Sequence, residues 1–147
     1  MHGAGIIEGI VKKRIDGAER DYYTLKLPVG DMLVMVPVVG CENIGVRPII
    51  SSDEAKEILA SFGEIETSMT QNWNKRYREN MLKIKSGNLM EVAEVVKGLM
   101  CRESERGLST GERKMLHSAK QILISELVIA LSTDYNTVES ELLTAIV

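Results

Sequence analysis

"NWNKRYRENMLKIKSGNLMEVAEVVKGLM" spans residues 72–100 and holds the single tryptophan of the chain, Trp73. Its punctuation is helical. Asn72 stands where an N-cap belongs, and Gly87 closes a helix that runs to about Ser86. Asn88 and Glu91 then have capping-box spacing ahead of "VAEVVKGLM" (92–100). Gly107 ends that second helix. Ser109 and Glu112 form another box, which opens a long helix to about Ser132, and Thr137 begins a last short one. Upstream, Ser51 and Glu54 have the same spacing before "AKEILASF" (55–62), closed by Gly63. Boxes separated by glycine stops predict a helical second half, joined through the acidic "EIETSMT" (64–70), which reads as a linker.

The first fifty residues have a different grammar. "AGIIEGIVKKRI" (4–15) is rich in β-branched side chains, and Asp16–Gly17 is a turn signal in a loop ending near Arg20. "DYYTLKL" (21–27) and "MLVMVPV" (32–38) read as two more strands, separated by "PVGD" (28–31), with Pro37 ending the third or pushing it to an edge. Three strands make a thin meander, which closes only as a small barrel or with a partner strand. The reading is therefore an α+β chain. Residues 1–50 form a small β domain, 51–70 a short helix and linker, and 71–147 a helical domain.

Composition bounds the function. Of 147 residues, 44% are apolar and 27% charged, as in ordinary soluble globular proteins, and aromatics are only 4%, so the core must be aliphatic. No apolar run reaches the roughly 20 residues that cross a bilayer, and nothing reads as a signal peptide. Cys41 and Cys101 lack metal-ligand spacing and fit a reducing, cytoplasmic compartment. The net charge of −3 is unevenly spread: residues 71–121 hold eleven basic and six acidic side chains, and residues 122–147 hold four acidic and no basic ones. The positive charge surrounds Trp73, and such asymmetry points to partners better than the sum does.

Enzymatic motifs are missing. His2 and His117 are the only histidines and form no H-E-x-x-H or Cys/His pattern. "GAG" (3–5) carries Glu8 where a dinucleotide loop needs its third glycine, and "STGERK" (109–114) is not in P-loop order. No catalytic residue, metal or cofactor is expected.

Trp73 supports two readings. At about 100° per residue, Trp73, Tyr77, Met81 and Ile84 share one helix face, which describes a core stripe with the tryptophan as its top rung. Its place in the first turn after a polar linker describes instead a planar wedge projecting past the end of a bundle. Lys75, Arg76 and Arg78 then hold phosphates around it, with Lys83, Lys85, Arg113 and Lys114 extending the patch. Several of these cations also fit an ordinary charged helix surface. In the β domain, Lys12, Lys13 and Arg14 beside the first turn either face an acidic partner or guard an exposed strand edge.

"HGAGIIEGI" (2–10), "YYTLKLPVGDMLVMVPV" (22–38) and "ENIGVRPII" (42–50) resemble the RNA-polymerase-interacting module of the bacterial CarD/CdnL transcription regulators, a module shared with transcription-repair coupling factors. The 72–100 stretch, followed by "ERGLSTGERKMLHSAKQILISELVIAL" (105–131), is similar to the helical domain of the CarD/CdnL proteins. The resemblance implies a Tudor-like small β barrel that docks on the RNA polymerase β subunit. It also implies a helical domain at the upstream edge of the promoter bubble, where Trp73 takes the place of a tryptophan that wedges into the minor groove and keeps melted DNA open. Binding to promoter DNA is then non-sequence-specific, in the cytoplasm, at the nucleoid through polymerase. The alternative is an adaptor that binds polymerase without touching DNA. Where the family often places polymerase-facing arginines this chain has Lys13 and Met35. In the family a strand with "YP" precedes "HGAG"; here Met1 stands directly before His2, so that strand is expected to be missing and the barrel open, with the gap filled by another strand, as by strand exchange in a dimer, or with the first domain loosened.

Overall fold

In the computed structural model, Asp16 (φ 50°) and Gly17 (φ 80°) both adopt left-handed backbone, the two-residue turn whose twist matches a hairpin. Strand β1 (Ile6–Ile15) therefore returns at once as β2 (Ala18–Leu27), with Ile15 opposite Ala18. The expected loop to Arg20 is two residues long, because the turn itself satisfies the pairing. Strand β3 (Met32–Pro37) adds antiparallel to β2 in the order β1-β2-β3. Pro37 ends the strand as expected, while Val38 N–H still donates to the Asp21 carbonyl at 3.0 Å. The structure describes residues 3–27, 32–40, 47–66 and 71–146. The turn at 28–31, part of the linker (67–70), His2 and Cys41 lie outside them.

Among the described residues the sheet is open, not closed into a barrel. Only Leu27 and Val36 are buried in it, while Ile10 and Leu33 are 60% and 63% exposed. A bulge between Ile7 and Gly9 adds one residue to β1.

Five helices follow: α1 (Ser52–Phe62), α2 (Trp73–Lys85), α3 (Leu89–Glu105), α4 (Thr110–Leu131) and α5 (Tyr135–Ile146). The caps read from sequence are in place. The Ser51, Asn72, Asn88 and Ser109 side chains all accept backbone N–H groups of the following first turn. The last helix starts earlier than Thr137, because the Asp134 carboxylate caps it by accepting the Thr137 N–H at 2.8 Å. Helix α3 supplies Val92, Ala93, Val95, Val96 and Leu99 to an aliphatic core, and α4 supplies Met115, Ala119, Leu123, Ile124 and Leu127. Val138 and Leu142 of α5 close it.

Helix α1 is more than a connector. Its Ala55, Ile58 and Phe62 are buried in the same core, and Phe62, the only phenylalanine, is fully enclosed. Lys97 on α3 donates through Nζ to the Gly63 and Ile65 carbonyls at 2.6 and 2.8 Å, satisfying acceptors that the end of α1 would otherwise leave bare. Physically α1 belongs with the bundle. No single helix is long and apolar enough to cross a membrane among the described residues.

Phe62→Ala would remove the largest side chain from this core and leave a cavity. The expected cost is about 3–5 kcal/mol, read as a lowered urea midpoint in equilibrium unfolding of the full chain.

Candidate nucleic-acid interface

The first turn of α2 is fixed by Asn72, whose Oδ1 accepts the Lys75 N–H at 3.0 Å. That places Trp73 at the first helical position, beside the corner where α3 gives way to α4. The stripe expected on one face of α2 is real, but graded. Ile84 is buried, Met81 and Tyr77 are half-buried against the core, and Trp73 is 42% exposed. The core claims the lower rungs and leaves the top one at the surface.

Contacts on three sides orient the indole. One face stacks on Tyr77, with ring centroids 5.1 Å apart and planes at 21°. The indole Nε1–H donates to Ser109 Oγ at 3.0 Å. Beside it lies Gly111, where a methyl group would stand 3.6 Å from indole Cζ2. A side chain there would meet the ring at ordinary van der Waals distance, so the start of α4 lies directly against the indole. The polar edge is thus held, and 42% of the residue remains open to solvent.

Ser109 is the hub of a longer chain of contacts. Its hydroxyl caps α4 by accepting the Glu112 N–H at 3.2 Å and lies 3.4 Å from Glu112 Oε1. The Glu112 carboxylate in turn receives Arg76, with Nε to Oε2 at 2.8 Å and Nη2 to Oε1 at 3.1 Å. Arg76 Nη1 also donates to the Gln71 carbonyl. Arg76 and Glu112 are each only 2% exposed. The hydrogen bond and charge of Arg76 hold the Glu112 carboxyl below the usual glutamate range, against the upward pull of burial, and the charge of Arg102 adds to the lowering.

This arrangement corrects one expected site residue. Arg76 is not at the surface to hold a phosphate, because it is enclosed in an ion pair that locks α2 to α4. The others divide. Lys75, Arg78, Lys85 and Lys114 are exposed. Lys83 pairs with Glu94 at 3.1 Å, and Arg113 sits 3.8 Å from Glu103 in a loose, exposed contact worth little in stability. Helix geometry also separates them from the ring. Lys75, Arg78 and Lys85 fall about 120–160° around α2 from Trp73, on a flank that also carries Leu82 at 70% exposure. Arg113 and Lys114 start from the first two turns of α4, the helix on which the indole rests. The residues missed from sequence are Ser109 and Glu112 in their second role. Both were visible only as a capping box.

The candidate polymerase-binding residues also divide. Cross-strand partners share a face of a sheet. Lys13 pairs with Arg20, and Gly9, Thr24 and Met35 lie in register, so Lys13 and Met35 share one face with the exposed Val11, Ile15 and Leu33. Lys12 and Arg14 pair with Asp21 and Glu19 and point to the other face. One flat partner surface cannot take all four. Among the described residues no group of three or more His, Cys, Asp or Glu is placed to hold a metal.

Residues 57–143 match the family model described as the CarD C-terminal domain, and residues 1–50 match the CarD-like/TRCF RID domain. The chain is 38% identical over 129 residues to YdeB of Bacillus subtilis (strain 168), a protein provisionally named a transcription factor; the match covers 88% of this chain and 84% of that protein.

Because the folded-state pKa of Glu112 is lowered, the stability it contributes is complete above the ordinary value of about 4.5 and is lost as pH falls through the lowered value. Urea unfolding at stepped pH should trace that loss, and Glu112→Gln should flatten this part of the profile. Arg76→Met would strand a buried carboxylate, and the same assay should register a cost of about 3–5 kcal/mol at neutral pH.

Proposed function

This chain belongs to the CarD/CdnL family of transcription regulators in both its β part and its helical part, and we propose that it acts by stabilising the open promoter complex of RNA polymerase. In this reading the sheet docks on the polymerase β subunit through the face carrying Lys13 and Met35. Trp73 enters the minor groove at the upstream edge of the bubble and hinders reclosure of the melted strands. The observation that carries the reading is the indole itself: large, apolar, 42% exposed, and fixed by a hydrogen bond to Ser109. A ring ordered before binding pays little conformational entropy on contact, and a planar apolar wedge suits a junction where bases are already unstacked.

Lys75, Arg78, Lys85, Arg113 and Lys114 supply the phosphate contacts, joined by Lys83 on exchange from Glu94. Such contacts position the protein but carry no sequence information. Alone they give weak, salt-sensitive affinity on the order of 10⁻⁴ to 10⁻⁶ M. Tethering to polymerase raises the effective DNA concentration to about millimolar, which makes weak contacts sufficient. A wedge that favours open over closed DNA by about 1.4 kcal/mol shifts that equilibrium tenfold. The protein then works wherever polymerase does, at the nucleoid. The open β1 and β3 edges leave room for a further strand, from polymerase or from a second copy.

A second reading, an adaptor that binds polymerase without touching DNA, draws on Leu82. A leucine that exposed, among Lys75, Arg78 and Lys85, fits an acidic protein surface as well as a phosphate backbone.

Trp73→Ala should fold normally, since most of what it removes faces solvent or the Tyr77 ring, and should shorten the lifetime of competitor-challenged open complexes by about tenfold. Lys75→Ala with Arg78→Ala should leave that lifetime salt-sensitive but with a shallower salt slope, by about one contact each. An unchanged lifetime in both variants favours the adaptor.

A further inference from the structure

Among the described residues the sheet makes no extended contact with the helices, yet its two flanking segments are fastened to one turn of α4. Before β1, the Ala4 N–H donates to Ser125 Oγ at 2.9 Å. Gly3 (φ +84°) approaches so closely that a methyl group there would stand 2.5 Å from the same oxygen. After β3, Arg47 forks onto Glu126, with Nη1 to Oε2 at 2.8 Å and Nη2 to Oε1 at 2.7 Å, and the Ile50 N–H adds a third bond to Oε2 at 2.9 Å. The Glu126 side chain is only 5% exposed. A carboxylate so buried, beside Ile124 and Leu127 of the core, is costly unless each oxygen is engaged. Here both oxygens are engaged, and every partner comes from the segment that leaves the β domain.

The same helix carries the Trp73 cradle. Ser109 caps α4 and Glu112 lies in its first turn, and from Glu112 to Glu126 the helix rises about 21 Å. One rigid rod therefore holds the indole near its start and the β domain towards its C-terminal end. We infer that Glu126 is a positioning residue: with Arg47 and Ser125 it clasps both ends of the β domain to α4 and so fixes the distance and direction from the docked sheet to Trp73. This rests on the wedge reading for its functional meaning, though the clasp is a property of the free protein. A tether alone raises local concentration over a broad volume, whereas a fixed span concentrates the wedge at one point on the DNA.

The test has two arms. Spin labels at Glu19→Cys, by the β hairpin, and Glu105→Cys, at the end of α3, in a chain with Cys41→Ser and Cys101→Ser, report the span by pulsed electron resonance. The unaltered clasp should give a single narrow distance distribution. Glu126→Gln and Arg47→Met should broaden it, while Arg47→Lys, which keeps the charge but loses the fork, should fall between. Thermal unfolding of each labelled variant identifies any that fails to fold, and Arg47, being a third exposed, is the milder site. In the second arm, Glu126→Gln should bind polymerase as tightly as the unaltered protein yet lose several-fold in open-complex lifetime. Equal distributions in the unaltered and Arg47→Met proteins overturn the clasp. A broadened distribution with full open-complex lifetime, alongside a short lifetime for Trp73→Ala, overturns the positioning role and leaves the wedge standing. Full lifetimes for both Trp73→Ala and Glu126→Gln overturn the wedge, and with it the functional meaning of the clasp.

Discussion

Two opposite charges, Arg76 and Glu112, lie almost wholly out of water between α2 and α4. Such a pair survives only with its geometry complete, because each ion costs several kcal/mol to desolvate and the guanidinium fork must meet both carboxylate oxygens to offset it. That requirement fixes the rotation of α2 against α4. Trp73 lies one turn before Arg76 and so has to lie against the start of α4. There Ser109, already bound to Glu112, takes the indole N–H. The half-exposed ring is thus no failure of burial. It is the outcome of a polar network that is satisfied only with the ring at the surface.

Seen from α4, the molecule is arranged along one helix. Its first turn holds the network around Trp73, its middle holds the aliphatic core, and the turn around Glu126 holds the segments that flank the sheet. The sheet itself stays open and shows apolar side chains on both faces, which a domain acting alone in water would avoid. Under the proposed docking role, that exposed surface is completed by a partner. The helical bundle, by contrast, is complete in itself, with α1 sealed into it by Phe62 and by the Lys97 cap.

Local chemistry was legible in the sequence. The Asp16–Gly17 turn and the caps at Ser51, Asn72, Asn88 and Ser109 depend on neighbours within a few residues, and all were read where they occur. The α+β division followed from the same signals, whereas the open sheet was expected only from the family resemblance and its missing first strand. What was not legible depends on contacts across the chain. Arg76 and Glu112 are 36 residues apart. On a helical wheel Arg76 is one cation among several, and nothing local marks it as the buried one. Lys75, Arg78 and Lys85 proved to lie on the far flank of α2, because the orientation of the helix was set by that hidden pair. Helix α1 read as part of a connector because its few apolar residues look too sparse for a core until α3, α4 and α5 surround them. Lys12 and Arg14 were grouped with Lys13 by adjacency, although strand alternation sends them to opposite faces.

The account depends on the ring of Trp73 meeting DNA at the fork. Trp73→p-benzoylphenylalanine puts a photoreactive ring at that position, in protein bound to polymerase on a promoter. Irradiation of the open complex should link residue 73 to DNA at the upstream edge of the melted region, and the link should be lost on fully duplex, unmelted template. Crosslinks confined to protein, or spread evenly along the duplex whether or not it is melted, would contradict it.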